Sequence, residues 1–348
     1  MKMEFVRREY AGALPRPDWW LVRPDEIIAQ CENVKKGKSE IVAHTPGGFP
    51  VYAVTYGEER PAAREINWPS ATGSPRPELY AQSGKQCLMI VAGIHGEEAE
   101  GVITVLDLMH IMETGNDLRG FPQPELAALA ENFRLVLMPC VNMDGRAISP
   151  DCYLGTTNDE FRRVVSTLLK DGTRLHWPAL KEYFPMPMDQ VAELGTYYNS
   201  EGYNIMHDAA PGNLRTEEAK GILRTAHRER IDFFLNMHSD GTEHFSLSDS
   251  LHYSVNKATY IAVSKEWMKL RGHDPEVILG GFSMQTDINC AVELATGAPA
   301  VTYEHGLKAE GATHASLLDE GLSVVEALFR YGKDHVLADR RKIVGKEK

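Results

Sequence analysis

Three places in this chain put polar, chemically able residues where an apolar run stops. The first run, Cys87 to Gly93, continues as Ile94-His95-Gly96-Glu97-Glu98. The second, Ile231 to Met237, ends in His238-Ser239-Asp240-Gly241, and the third, Ala300 to Tyr303, ends in Glu304-His305. Continuous apolar runs of this length are expected of strands buried on both faces, and ligands of open α/β sheets sit beyond the carboxyl ends of their strands. Two imidazoles and one or two carboxylates gathered there would form a nitrogen and oxygen site of the kind a catalytic zinc takes, with three protein ligands and an open position. A further carboxylate free of the metal would be able to take a proton from water. A lone H-x-x-E, or a lone His after a strand, is commonplace in structural roles. Here all three groups recur in order, each at the end of an expected strand.

Those strands need a scaffold. Short apolar runs alternate with amphipathic stretches, which predicts a mainly parallel or mixed sheet covered by helices. Ile41 to Tyr56 reads as two strands around Pro46-Gly47-Gly48, and Phe133 to Val141 reads as another buried strand. Val102, Val105, Leu106 and Met109 recur at helical spacing after Glu100, and Leu318, Leu322, Val325 and Leu328 mark a closing helix. Pro61 to Gln86 is a surface loop by composition, and the stretch from Arg146 to Gly212 has weak periodicity, as a functional insertion would. The expectation is one domain over residues 1–348 with an irregular insertion at about 146–212.

Composition removes several classes of function. The net charge of −12 argues against nucleic acid as a partner. Five cysteines, widely spaced and without C-x-x-C, make neither a disulfide framework nor a thiolate zinc site. The charged start lacks a secretory signal and no apolar stretch spans a bilayer, so a cytoplasmic protein is expected. There is no H-E-x-x-H, no G-x-S-x-G and no phosphate-binding glycine loop.

Taken together, the motifs resemble those of the zinc metallocarboxypeptidases related to carboxypeptidase A. His95-Gly96-Glu97-Glu98 is similar to the family's H-x-x-E, Asn142-Met143-Asp144-Gly145 to its N-P-D-G, His238-Ser239 to its H-S strand, and Glu304 to its catalytic glutamate. The resemblance spans about residues 20 to 330. It implies a three-layer α/β/α fold with a mixed, twisted eight-stranded sheet. It also implies one zinc ion per chain held by His95, Glu98 and His238, with Glu304 as general base and then acid. Thr156 to Arg163 resembles the segment that carries the family's carbonyl-polarising arginine, which places Arg162 in that role.

The departures bear on substrate. The family's G-x-D-x-N-R segment, which grips a terminal carboxylate, reads Gly202-Tyr203-Asn204-Ile205-Met206-His207 here. Asn204 and His207 are therefore the expected substrate-binding residues, although an imidazole does not reproduce a bidentate guanidinium clamp. Arg162, Arg163 and Arg215 are further candidate anion anchors. The family's mobile tyrosine has no clear counterpart near Gly280-Gly281-Phe282-Ser283. His244 and His305 lie close to motif segments, and Asp240 or His305 would be the group to recruit a second metal.

The expected activity is hydrolysis of an amide bond in a small peptide or peptide-like substrate. An alternative is a deacylase of acylated amino acids, because His95 to Gly101 also resembles the H-G-x-E-x-x-G of the aspartoacylase and succinylglutamate desuccinylase branch. A non-catalytic zinc-binding protein is the third reading, and Glu304 argues against it.

Overall fold

The structure, a computed structural model, describes residues 5–10, 12–60, 84–176, 179, 184–209, 214–247, 253–272, 276–279, 287–307 and 310–339. Eight strands form one mixed sheet: β1 (Lys38–His44), β2 (Pro50–Tyr56), β3 (Cys87–Ala92), β4 (Arg134–Met138), β8 (Phe233–Asp240), β9 (His244–Leu247), β10 (Glu276–Leu279) and β11 (Ala300–Gly306). Their order across the sheet is β1-β2-β4-β3-β8-β11-β9-β10. The four central strands, β4, β3, β8 and β11, run parallel, while β1, β2 and β9 join with antiparallel pairings.

Strand alternation divides the core into two layers. Leu88, Ile90 and Ala92 of β3 face one side, with Leu135, Leu137, Leu235, Met237, Val301 and Tyr303 from its neighbours. Helices α1 (Pro24–Glu32), α2 (Ala99–Thr114), α3 (Pro124–Ala130), α7 (Tyr253–Arg271) and α9 (His314–Asp334) contribute to that layer. Cys87, Met89 and Val91 face the opposite side, with Val136, Met138, Phe234 and Ala300. There they meet α6 (Glu217–Glu229) and α8 (Ile288–Thr296) through Ala219, Ile222, Ala226, Ile288 and Val292. The expected α/β/α layering is therefore present, and β3 is apolar throughout because both its faces are covered.

The stretch expected to be irregular is structured where it is described. It holds α4 (Met143–Ile148), α5 (Asn158–Val165) and a small antiparallel sheet of β5 (Thr167–Leu169), β6 (Arg174–Leu175) and β7 (Val191–Glu193). Leu169, Leu175, Met186, Leu194 and Tyr198 form its own apolar cluster. A Thr157 capping box starts α5, and the segment's weak periodicity reflects the shortness of these elements. Most of the loop expected at Pro61 to Gln86 lies outside the described residues. Among the described residues no helix is long and apolar enough to cross a membrane.

Candidate metal centre

The topology brings the three polar strand ends together. Chain order reverses between β3 and β8, adjacent parallel strands whose register pairs Ala92 with Met237. His238 is the next residue, near the carboxyl end of β8. Gly93 to Glu98 turns out of β3 into α2, with Glu98 as the helix N-cap. On the other side of β8, Glu304 of β11 is the register partner of His238, so both side chains leave the same face of the sheet.

His95, Glu98 and His238 offer ligand atoms that lie within 4.8 Å of one another. Nδ1 of His95 stands 2.8 Å from Glu98 Oε1, and Nδ1 of His238 stands 2.8 Å from Glu98 Oε2. The two imidazole rings meet edge to face with centroids 4.9 Å apart. All three side chains are buried, and the Nε2 atoms of both histidines make no hydrogen bond of normal geometry among the described residues. Two imidazoles and a carboxylate, converging in a buried place with polar atoms left over, suit a divalent zinc ion. Burial pushes the basicity of His95 down. Burial opposes the ionised forms of His238 and Glu98 too, but each offsets it for the other. His238 is thereby held up and Glu98 held down, as a mutually stabilised ion pair.

Glu304 stands outside that trio of ligand atoms. Burial raises its carboxyl pKa, the charges of Glu98 and Asp240 add to the rise, and His238 opposes it. Asp240, two residues beyond His238 on the same strand face, is exposed, and its Oδ1 accepts a hydrogen bond from Gly241 N.

The N-M-D-G segment braces the metal loop. Asn142 N donates to Gly93 O (2.7 Å), and Asn142 Oδ1 accepts from Gly145 N (2.9 Å). Gly96 packs directly on Gly145: a Cβ at Gly96 would come closer than 3.0 Å to backbone atoms of Gly145 and Arg146. Asp144 accepts from Thr45 Oγ1, from Gly47 N (3.0 Å) and from Ser200 N (2.9 Å), tying the first hairpin and the insertion to the same point. Arg146 is fully buried, and its guanidinium donates to the carbonyls of Glu97 and Pro150.

The stretch that holds β5 to β7 also reaches the site. Gly96 N donates to Thr196 O (3.0 Å), and the ring of Tyr197 packs on that of His95 with centroids 4.3 Å apart. Asn204, expected to bind substrate, is buried beside His95, where its polar contact favours the protonated ring, and its Oδ1 accepts from Met206 N. It stands where it can support a histidine of the cluster. Met206 is buried in the apolar layer under α6 and α8, and His207 is half-buried at the end of a short 3-10 turn. Arg162 and Arg163 lie on the exposed side of α5, and the charges acting on Glu304 are those of His238, Glu98 and Asp240, not theirs. His305 points to the other face, fully buried against Tyr303 and 3.6 Å from Glu320. Neither it nor Asp240 joins the ligand cluster among the described residues. His244 Nδ1 is 2.9 Å from Thr242 O. Gly280 to Ser283 lies outside the described residues. Sequence reasoning missed Tyr197, which sits in a stretch with no motif to mark it.

A family model described as zinc carboxypeptidase matches residues 38–258. The chain belongs to the zinc carboxypeptidase family. It is accordingly a zinc metallohydrolase of the peptidase type, and the matched span holds His95, Glu98 and His238, while Glu304 lies beyond it. No curated protein sequence matches the chain. Among solved structures, a metallo-carboxypeptidase from Burkholderia cenocepacia is 14% identical with a TM-score of 0.54, over 88% of this chain and 67% of that one. One from Pseudomonas aeruginosa, in complex with (2-guanidinoethylmercapto)succinic acid, gives 14% and 0.53 over 88% and 67%. Bovine thrombin-activatable fibrinolysis inhibitor, in complex with tick carboxypeptidase inhibitor, gives 14% and 0.53 over 90% and 98%. At these identities the likeness is one of fold.

Proposed function

We infer that this carboxypeptidase relative hydrolyses an amide bond in a small peptide or peptide-like substrate, with His95, Glu98 and His238 holding one zinc ion and Glu304 as general base. The observation that carries the reading is the register of β8 and β11, which sets Glu304 opposite His238 while leaving it outside the ligand trio. A zinc ion bound there would supply Lewis-acid polarisation of the carbonyl and a more acidic water. Glu304 takes the proton from the attacking water and returns it to the departing amine nitrogen. Glu98 stands 2.8 Å from Nδ1 of each imidazole, so the three side chains converge on one point, and Asn204 makes a polar contact with His95.

Terminal-carboxylate recognition of the usual family kind is not supported, because Met206 is buried in the core at one clamp position and His207 stands at the other. That observation favours, as a second reading, a deacylase of acylated amino acids using the same four residues. Assaying N-acylated dipeptides beside N-acylated single amino acids separates the two by the size of the substrate cleaved. In either case Glu304→Gln retains one zinc per chain and the fold and loses hydrolysis by at least about a hundredfold. Full activity in that variant would remove Glu304 from the mechanism.

A further inference from the structure

Attack of water on an amide carbon moves an electron pair onto the carbonyl oxygen, and a donor fixed at that oxygen lowers the barrier. The family resemblance gives this work to Arg162, which lies on the exposed side of α5. Arg146 is buried and turned to the carbonyls of Glu97 and Pro150. Tyr197 is differently placed. Its ring lies on His95 at 4.3 Å and a tilt of 57°, and the residue is half-buried. The charges acting on its phenol are those of Glu97, Glu98, Glu304 and Asp240. The ring therefore lies against a proposed metal ligand, and its phenol is within reach of the charges of both Glu98 and Glu304.

The backbone around Tyr197 is pinned without help from its side chain. Thr196 O accepts from Gly96 N (3.0 Å), and Tyr197 O accepts from Asn142 Nδ2 (3.3 Å). Both partners belong to the segments that build the metal loop, so the phenol keeps a fixed distance from it. Burial, with Glu97, Glu98, Glu304 and Asp240 adding to it, raises the phenol's pKa well above its ordinary value, so it is a neutral hydrogen-bond donor at pH 7.

We propose that Tyr197 donates a hydrogen bond to the carbonyl oxygen of the scissile amide as that oxygen becomes negative. The water oxygen bonds to the carbonyl carbon, the π pair moves to oxygen, and Glu304 takes the water proton. The Tyr197 hydrogen bond strengthens without proton transfer. The carbonyl then re-forms, the C–N bond breaks with its electron pair on nitrogen, and the proton held by Glu304 goes to the amine. This inference rests on the hydrolase reading above, and it makes Tyr197, drawn from the insertion, a catalytic residue.

The test uses the full-length zinc-loaded protein, with inorganic phosphate as a tetrahedral oxyanion probe and calorimetric titration as the readout. Tyr197→Phe should bind phosphate about tenfold more weakly than wild type, the loss of one hydrogen bond to an anion, with unchanged zinc content, zinc affinity and melting temperature. Equal phosphate affinity in the two proteins overturns the proposal, as does failure of the zinc-loaded wild type to bind phosphate. A parallel fall in zinc affinity also overturns it, since the ring would then act only as packing for His95. Failure of the hydrolase reading looks different: wild type that takes up no zinc, or full activity in Glu304→Gln.

Discussion

Gly96→Ala tests whether backbone contact between the two motif loops sets the geometry of the metal centre. Gly96 lies between His95 and Glu98, and the backbone it touches belongs to Gly145 and Arg146. Its own dihedrals are not in the left-handed region, so the substitution introduces no backbone strain. The added methyl carbon would come closer than 3.0 Å to main-chain atoms, whereas ordinary contacts begin at 3.4 Å. Neither loop has a flexible side chain to move aside there, so the loops must part by on the order of 1 Å. Overpacking of this kind costs about 1–3 kcal/mol, which for a chain of this size lowers the melting temperature by roughly 1–4 °C. The larger effect falls on the centre: an ångström of displacement at His95 and Glu98 should weaken zinc binding by at least about tenfold and turnover by about a hundredfold. Differential scanning calorimetry, with and without chelator, and competitive zinc titration measure the two effects separately. Wild-type melting temperature together with wild-type zinc affinity would refute the reasoning, because the glycine-on-glycine contact would then be dispensable.

His238→Ala removes one of two imidazoles from a buried cluster and should abolish stoichiometric zinc, checked by elemental analysis; retained zinc would exclude it as a ligand. Asp144→Ala leaves the amides of Gly47 and Ser200 and the hydroxyl of Thr45 without their acceptor, and should cost at least about 2 kcal/mol in urea unfolding. Asp107 is buried, and burial first, with Asp117 adding to it, pushes its carboxyl up to about 7 despite the Leu118 amide it accepts from. Its folded pKa therefore exceeds the unfolded value of about 3.9, so its stabilising contribution is complete below pH 4 and is lost as pH rises through about 7. Asp107→Asn should flatten that decline, by a few kcal/mol between pH 5 and 8, in paired urea melts.

Much of the fold was legible because the central strands are buried on both faces and so read as unbroken apolar runs. Cys87–Ala92, Arg134–Met138, Phe233–Asp240 and Ala300–Gly306 all fall where those runs do, with β8 and β11 extending further into the polar residues that follow. The candidate site was legible for the same reason: His95, Glu98, His238 and, outside the ligand trio, Glu304 stand out against apolar neighbours, and parallel pairing carries them to one edge. Tyr197 was hidden because an aromatic residue in a stretch of short elements carries no periodic signal, and its contact with His95 is made only in the tertiary fold. Asn204 was marked by motif likeness, but its place beside His95 depends on the turn at Met206 that its own side chain accepts from. Arg162 was chosen from local similarity, which says nothing about which side of α5 meets solvent.

The dispersal of the cluster along the chain has a kinetic consequence. His95 and Glu98 are neighbours on one loop, but His238 is delivered by a strand formed more than a hundred residues later, and Glu304 by another beyond it. Joining them requires closing large loops, a slow, entropy-limited event. With the proposed ligand set, a nascent or partly folded chain would offer zinc only the pair on the first loop, and full affinity would arise when β8 docks beside β3. Zinc would then stabilise the completed sheet selectively, by mass action, and its uptake would mark the end of folding.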